Sequence, residues 1–233
     1  MTSDIVERLY RAFADVRRPA RVEGCPCCVE PDADRPLLTR PLRALTAQDL
    51  SRYGAKALNT WGGADDFRYF APRLLELSTA GDLDWPDIEI VFGKLAQAGW
   101  PQWPQRRAIE EFMAAFWSDT LARHPRRPRI DAVLCALGCA GADLAVRLTE
   151  WEELAGEPPV RHLHELATSE LTWSRGRPRL RNAFWDTTGP QYREVIDWLT
   201  GGAAAAAVSA AFARADSEER LGLLAEIDQA LAG

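Results

Sequence analysis

Four consecutive residues, Cys25-Pro26-Cys27-Cys28, concentrate the softest ligand atoms of the chain. Cys25 and Cys28 have the C-x-x-C spacing that lets two thiolates reach one tetrahedral zinc ion at about 2.3 Å, or close into a strained, reducible disulfide. A four-thiolate site asks for a second pair. Cys135 and Cys139 lie one helical turn apart, so both can project the same way. Two helix pairs, over 46–79 and 86–123, separate the cysteine pairs, and helix axes pack about 8–10 Å apart. An open stack of helices therefore sets the two thiol pairs roughly 20 Å apart or more, and a joint site requires a closed bundle or a long folded-back arm. The plainer reading makes these residues ordinary buried or surface thiols, with Cys135 and Cys139 as small core residues. A thioredoxin-like role needs a strand before the motif, and the flanking residues show no strand pattern. Cys25 and Cys28 are thus the candidate metal ligands and zinc the candidate ion, the alternative being no cofactor at all.

Arginine clusters form the second candidate. Arg123, Arg126, Arg127 and Arg129 crowd one proline-rich loop, while Arg175, Arg177, Arg179 and Arg181 alternate in another, flanked by Trp173, Phe184 and Trp185. Guanidinium forks beside aromatic rings suit phosphate binding and base stacking. The competing reading is a solvated turn whose arginines pair with the surplus carboxylates. A net charge of −6 and a pI near 5.2 argue against broad attraction to nucleic acid or anionic membrane. Asp65-Asp66 near Arg68 and Arg73 could line a charged groove, although carboxylates in a first turn are what the helix dipole favours in any case. Trp61, Trp85, Trp100 and Trp103 fall at predicted helix ends and either pack there or line a groove. His124, His162 and His164 offer no triad, since the last two diverge on a helix, and no phosphate loop, nucleophile elbow or zinc-protease motif occurs.

The elements that must position these residues read as helices. Alanine and leucine far outnumber valine and isoleucine, and no alternating strand pattern is found. Ile5, Leu9, Phe13 and Val16 mark a first helix, which Arg17-Arg18-Pro19 should end. An irregular arm follows from about 20 to 45, with prolines at 26, 31, 36 and 41. Thr46 and Asp49 cap the next helix, Phe67, Phe70, Leu74 and Leu77 line another, and Pro86 and Pro104 each stand at the opening of one. Ile109, Phe112, Met113, Phe116, Trp117, Thr120 and Leu121 make the clearest helical face. Shorter helices are predicted at about 130–139, 143–154, 159–170, 189–199 and 203–214, with a last one after Asp216; Trp173 to Asn182 reads as a loop.

This totals about eleven helices in an all-α chain of 233 residues, a length that can bury about 70% of its unfolded surface. One helical domain over 1–233 is expected. The helix pairs near 65–98 and 103–139 approach the roughly 40-residue period of HEAT or armadillo repeats, so a HEAT-like α-α superhelix is preferred over an irregular helical bundle. No apolar run nears the roughly 20 residues of a membrane helix, and no leader pattern opens the chain; a cytoplasmic protein is expected. Among 28 basic residues only Lys56 and Lys94 are lysine, a bias that suggests a GC-rich bacterial coding sequence. The odd number of cysteines, five, then fits thiols, metal or redox chemistry better than a disulfide framework.

Gly24-Cys25-Pro26-Cys27-Cys28, the stretch Pro41-Leu42-Arg43-Ala44-Leu45-Thr46-Ala47-Gln48-Asp49-Leu50, then Lys56-Ala57-Leu58-Asn59-Thr60-Trp61-Gly62 and the run from Asp66-Phe67-Arg68-Tyr69-Phe70 to Leu77 resemble a family of small all-helical bacterial proteins to which no activity is attached. The resemblance covers roughly the first 120 residues. It implies a bacterial, cytoplasmic, helical protein and carries over no catalytic residue. Many members have histidine where Tyr69 stands, so it implies no metal ligand there.

Three functional expectations follow. The first is a non-enzymatic helical scaffold that holds a protein or peptide partner along a groove, because stacked helices create a concave surface and no catalytic set is visible. The second is a zinc- or thiol-dependent protein centred on Cys25 and Cys28. The third is a HEAT-like nucleic-acid-processing enzyme that uses Arg126, Arg127, Arg129, Arg175, Arg177 and Arg179 as phosphate contacts, an analogy of fold alone.

Overall fold

A computed structural model describes residues 3–233 and divides the chain into two compact units, Met1–Phe116 and Trp117–Gly233. Twelve α-helices occur among the described residues, and the all-helical expectation holds for most of the chain. The first unit contains α1 (Ser3–Ala12), α2 (Arg35–Thr39), α3 (Ala47–Lys56), α4 (Ala64–Ala80), α5 (Ile88–Gln97) and the start of α6 (Arg106–Leu121). The second contains the end of α6 and then α7 (Ile130–Cys139), α8 (Leu144–Glu152), α9 (Glu157–Glu165), α10 (Pro190–Thr200), α11 (Ala203–Phe212) and α12 (Glu218–Ala232).

Local chemistry accounts for most of these boundaries. Thr46 and Asp49 form a reciprocal capping box at α3: the Asp49 amide donates to the Thr46 hydroxyl at 3.2 Å, and the Thr46 amide donates to Asp49 at 2.9 Å. Gly81 ends α4 in the left-handed region at φ 77°, where a Cβ would be strained. On α6, Ile109, Phe112, Met113 and Phe116 are buried in the first unit, and Trp117, Thr120 and Leu121 in the second, as their spacing predicts. The one helix beyond the eleven expected, α2, is a single short turn inside the proline-rich arm, begun by Pro36 in its first turn. The expected helix at Trp85-Pro86 starts later, at Ile88, and that peptide bond is cis.

One expectation is corrected. Leu171–Ser174 (β1) and Arg177–Leu180 (β2) pair antiparallel, with Leu171 opposite Leu180 and Ser174 opposite Arg177, in the stretch read as a loop. The two linking residues, Arg175 and Gly176, both have positive φ, 53° and 71°. That is the mirror-image turn that suits the strand twist, normally signalled by Asn-Gly or Asp-Gly. With arginine in the first position the signal was weak.

Within the first unit α4 packs on α5 and α3 on both, around Leu50, Tyr53, Phe70, Leu74 and Phe92. Within the second, α10 packs on α11, α11 on α12, and α12 back on α9. Its centre is aromatic: Trp151 stacks on Trp198 at 5.4 Å and meets Trp117 edge-on at 5.4 Å. No single helix among the described residues is long and apolar enough to cross a membrane. Helices α10 and α11 reach that length only together, across a 41° bend, and each is buried on one face by Val195, Leu199, Ala204 and Val208.

Candidate metal and thiol site

The Cys25-Pro26-Cys27-Cys28 segment forms a tight turn, and the reason lies in its residue types. Proline disfavours helix for the residue before it and presets the second turn position. The Cys28 amide accordingly donates to the Cys25 carbonyl at 2.9 Å, and the Val29 amide reaches the same oxygen at 2.9 Å. This folding brings the first and last thiols of C-x-x-C to one side, and Cys27 joins them. Cys25 Sγ lies 3.0 Å from Cys27 Sγ, which lies 3.6 Å from Cys28 Sγ, and all three sulfurs fall within 4.8 Å of one another. Three thiolates bound to one tetrahedral ion at 2.3 Å would be about 3.8 Å apart. The Cys27–Cys28 spacing of 3.6 Å is close to that value, and the Cys25–Cys27 spacing of 3.0 Å is shorter and would open on binding.

The turn is held by the stretch that links α3 to α4. The Cys25 amide donates to the Thr60 carbonyl at 2.8 Å and the Gly62 amide to the Glu23 carbonyl at 2.7 Å. Lys56 Nζ donates to the Cys28 carbonyl, and the Trp61 indole donates to the Val22 carbonyl at 3.3 Å. Beneath these bonds, Val22, Val29 and Trp61 are buried, with Trp61 edge-on to Tyr53 at 5.5 Å. Gly24 allows the approach, because a Cβ there would stand 2.5 Å from Val29 Cβ. Gly24→Ala is therefore expected to cost about 1–3 kcal/mol by overpacking and to weaken metal binding at the displaced turn. Chemical denaturation and a zinc titration check both effects.

The thiols are chemically unequal. Cys27 is exposed, Cys25 and Cys28 half-buried. The hydrogen bond from Cys27 lowers the Cys25 pKa below the usual thiol value, and the same bond, with Cys27 as donor, raises Cys27 to about 11. Cys25 is thus the readier thiolate, and Cys27 keeps its proton until a cation displaces it. The C-x-x-C spacing marks only Cys25 and Cys28 as ligands, and the sequence signal for Cys27 is its adjacency to Cys28.

The other singled-out residues fall as follows. Cys135 is buried on α7, and Cys139, at its end, lies 3.6 Å from the Phe184 carbonyl, both in the second unit. Arg126 pairs with Asp119 at 2.5 Å, and Arg129 with Glu165 at 2.9 Å and Glu170 at 3.0 Å, the carboxylate pairing weighed against phosphate contact. Arg127 is exposed in the same loop. Arg175 occupies the hairpin turn, and Arg177 and Arg179 are exposed along β2, two residues apart and so on one face. Asp65, Asp66 and Arg68 do line an open cleft of about 400 Å³, together with Asp15, Arg17 and Arg18, whereas Arg73 turns to Glu76 at 2.6 Å. Trp61 and Trp100 are buried at helix ends while Trp85 is half exposed. Comparison with protein-family models, curated proteins and solved structures finds no match for this chain.

Proposed function

We propose that this is a metal-handling protein whose Cys25, Cys27 and Cys28 thiolates take up a thiophilic ion, zinc being the first to test. The observation that carries the reading is the convergence of three sulfurs within 4.8 Å on one partly exposed turn. Thiolate sulfur selects zinc or monovalent copper over the hard cations, and three sulfurs fill three of the four positions of a tetrahedral zinc site. The turn and the residues before it are already tied to Thr60, Gly62 and Lys56 by hydrogen bonds, so the ion acts as an exchangeable ligand and not as a staple for folding. Helical circular dichroism should accordingly survive chelation.

The pH dependence has a definite sign. Bound metal requires thiolates, and Cys27 with a pKa of about 11 is protonated at neutral pH, so each ion bound near pH 7 releases at least that proton. Affinity should fall with decreasing pH by about tenfold per pH unit for each proton displaced. Titration of reduced, anaerobic protein with Co²⁺ or Zn²⁺ tests the reading. One equivalent is expected to give thiolate-to-cobalt charge-transfer absorption, lost in Cys25→Ser, Cys27→Ser and Cys28→Ser. Absence of that band, with all three thiols open to alkylation in the presence of metal, overturns it.

The second reading keeps the helical scaffold: HEAT-like stacking that presents a protein or peptide groove. It is supported by the packing of chain neighbours, α4 on α5 and α10 on α11 on α12. A chain that fails the cobalt test reverts to it.

A further inference from the structure

A second set of ligand atoms lies in the Trp117–Gly233 unit, away from the thiol turn in sequence and different from it in chemistry. His124 follows α6, and His162 and Glu165 stand one turn apart on α9, so the H-x-x-E spacing places them on one helix face. One donor atom from each lies within 4.8 Å of the others, and His124 Nε2 is 3.9 Å from Glu165 Oε2. The rings of His124 and His162 meet edge-on with centroids 4.8 Å apart. His162 and His164 diverge, as their spacing predicts: His164 turns to Glu226 at 2.5 Å, while His162 turns toward His124.

His162 carries the argument. It is 1% exposed, and its Nε2 lies 2.9 Å from the carbonyl oxygens of both Thr120 and Arg123. Two acceptors can be served only by a protonated Nε2, so in the neutral ring the lone pair sits on Nδ1. That Nδ1 is buried without a hydrogen-bond partner. Metal-bound histidines have this arrangement, with one ring nitrogen donating to a backbone carbonyl while the other is left to the ion. On the carboxylate, Arg129 Nε occupies Glu165 Oε1 at 2.9 Å, and Oε2 remains beside His124.

We propose that His124, His162 and Glu165 form a site for a borderline divalent cation such as zinc, bound by two imidazoles and one carboxylate with the fourth position taken by water. Bonds of 2.0–2.2 Å in a tetrahedron set ligand atoms about 3.4 Å apart, and the His124–Glu165 spacing of 3.9 Å is close to that. Nitrogen and oxygen donors favour zinc here, where the sulfur turn also suits monovalent copper.

The test uses the full chain carrying Cys25→Ser, Cys27→Ser and Cys28→Ser, so that its outcome is separate from that of the thiol turn. One saturable equivalent of Co²⁺ is expected, with visible d–d absorption and no thiolate charge-transfer band from the turn. His124→Gln and Glu165→Gln should each lower the affinity by about 100-fold or more. In the chain without these two substitutions, zinc should shift the ¹⁵N resonance of His162 Nδ1 and leave Nε2 protonated, a readout independent of how any variant folds. No saturable equivalent, variants that bind unchanged, or an Nδ1 resonance that zinc leaves in place would overturn the site.

Discussion

Trp151→Ala is expected to remove about 3–5 kcal/mol of stability, the range for truncating a fully buried tryptophan. Trp151 has no exposed surface. It stacks on Trp198 with planes 20° apart and abuts Trp117 at 77°, and its indole donates to the Pro159 carbonyl at 3.0 Å. Alanine leaves a cavity bordered by two aromatic faces that are themselves pinned, since Trp117 donates to the Arg147 carbonyl at 3.1 Å and Trp198 to Glu152 at 2.8 Å. Rings held in this way cannot collapse into the gap, which places the loss toward the upper part of that range. Trp151→Phe keeps a stacking ring and should cost less. Denaturant unfolding of both variants, followed by near-ultraviolet circular dichroism, measures the difference. A loss below about 1 kcal/mol for Trp151→Ala would show that the three rings are not the organising contact of this unit.

Trp61→Ala should act on stability and on metal affinity together. Trp61 is 3% exposed, and its ring is the floor on which the Val22–Cys28 segment rests. Removing it deletes the indole bond to Val22 and the edge-on contact with Tyr53, at an expected cost of about 3–5 kcal/mol. The thiol turn then keeps its backbone bonds to Thr60 and Gly62 but loses the packing under them. Three sulfurs that must be gathered by the ion, and no longer stand gathered beforehand, bind more weakly, because the ordering entropy is met at the moment of binding. A drop of more than about tenfold in zinc affinity is expected. Trp61→Phe, which retains a ring against Tyr53, should recover most of it. If Trp61→Ala destabilises the protein while zinc affinity stays unchanged, the turn is positioned by its own Pro26 and not by the unit beneath it.

The sequence by itself determined the local order of this protein. The period of Ile109, Phe112, Met113, Phe116 and Trp117 specified α6, Thr46 with Asp49 specified the start of α3, and Pro26 between the thiols specified a turn, because caps, periodicity and turn chemistry act over four or five residues. Tertiary structure alone decided what those pieces meet. Cys27 joins Cys25 and Cys28 because the turn closes upon itself against Thr60 and Trp61. Leu171 and Leu180 pair through a mirror-image turn that arginine does not announce. His124 finds His162 and Glu165 only when the loop after α6 comes back against α9. Such approaches depend on how many apolar faces pack at once, so local spacing such as Cys27 beside Cys28 or H-x-x-E on α9 shows which residues share a turn or a face but not what that face meets.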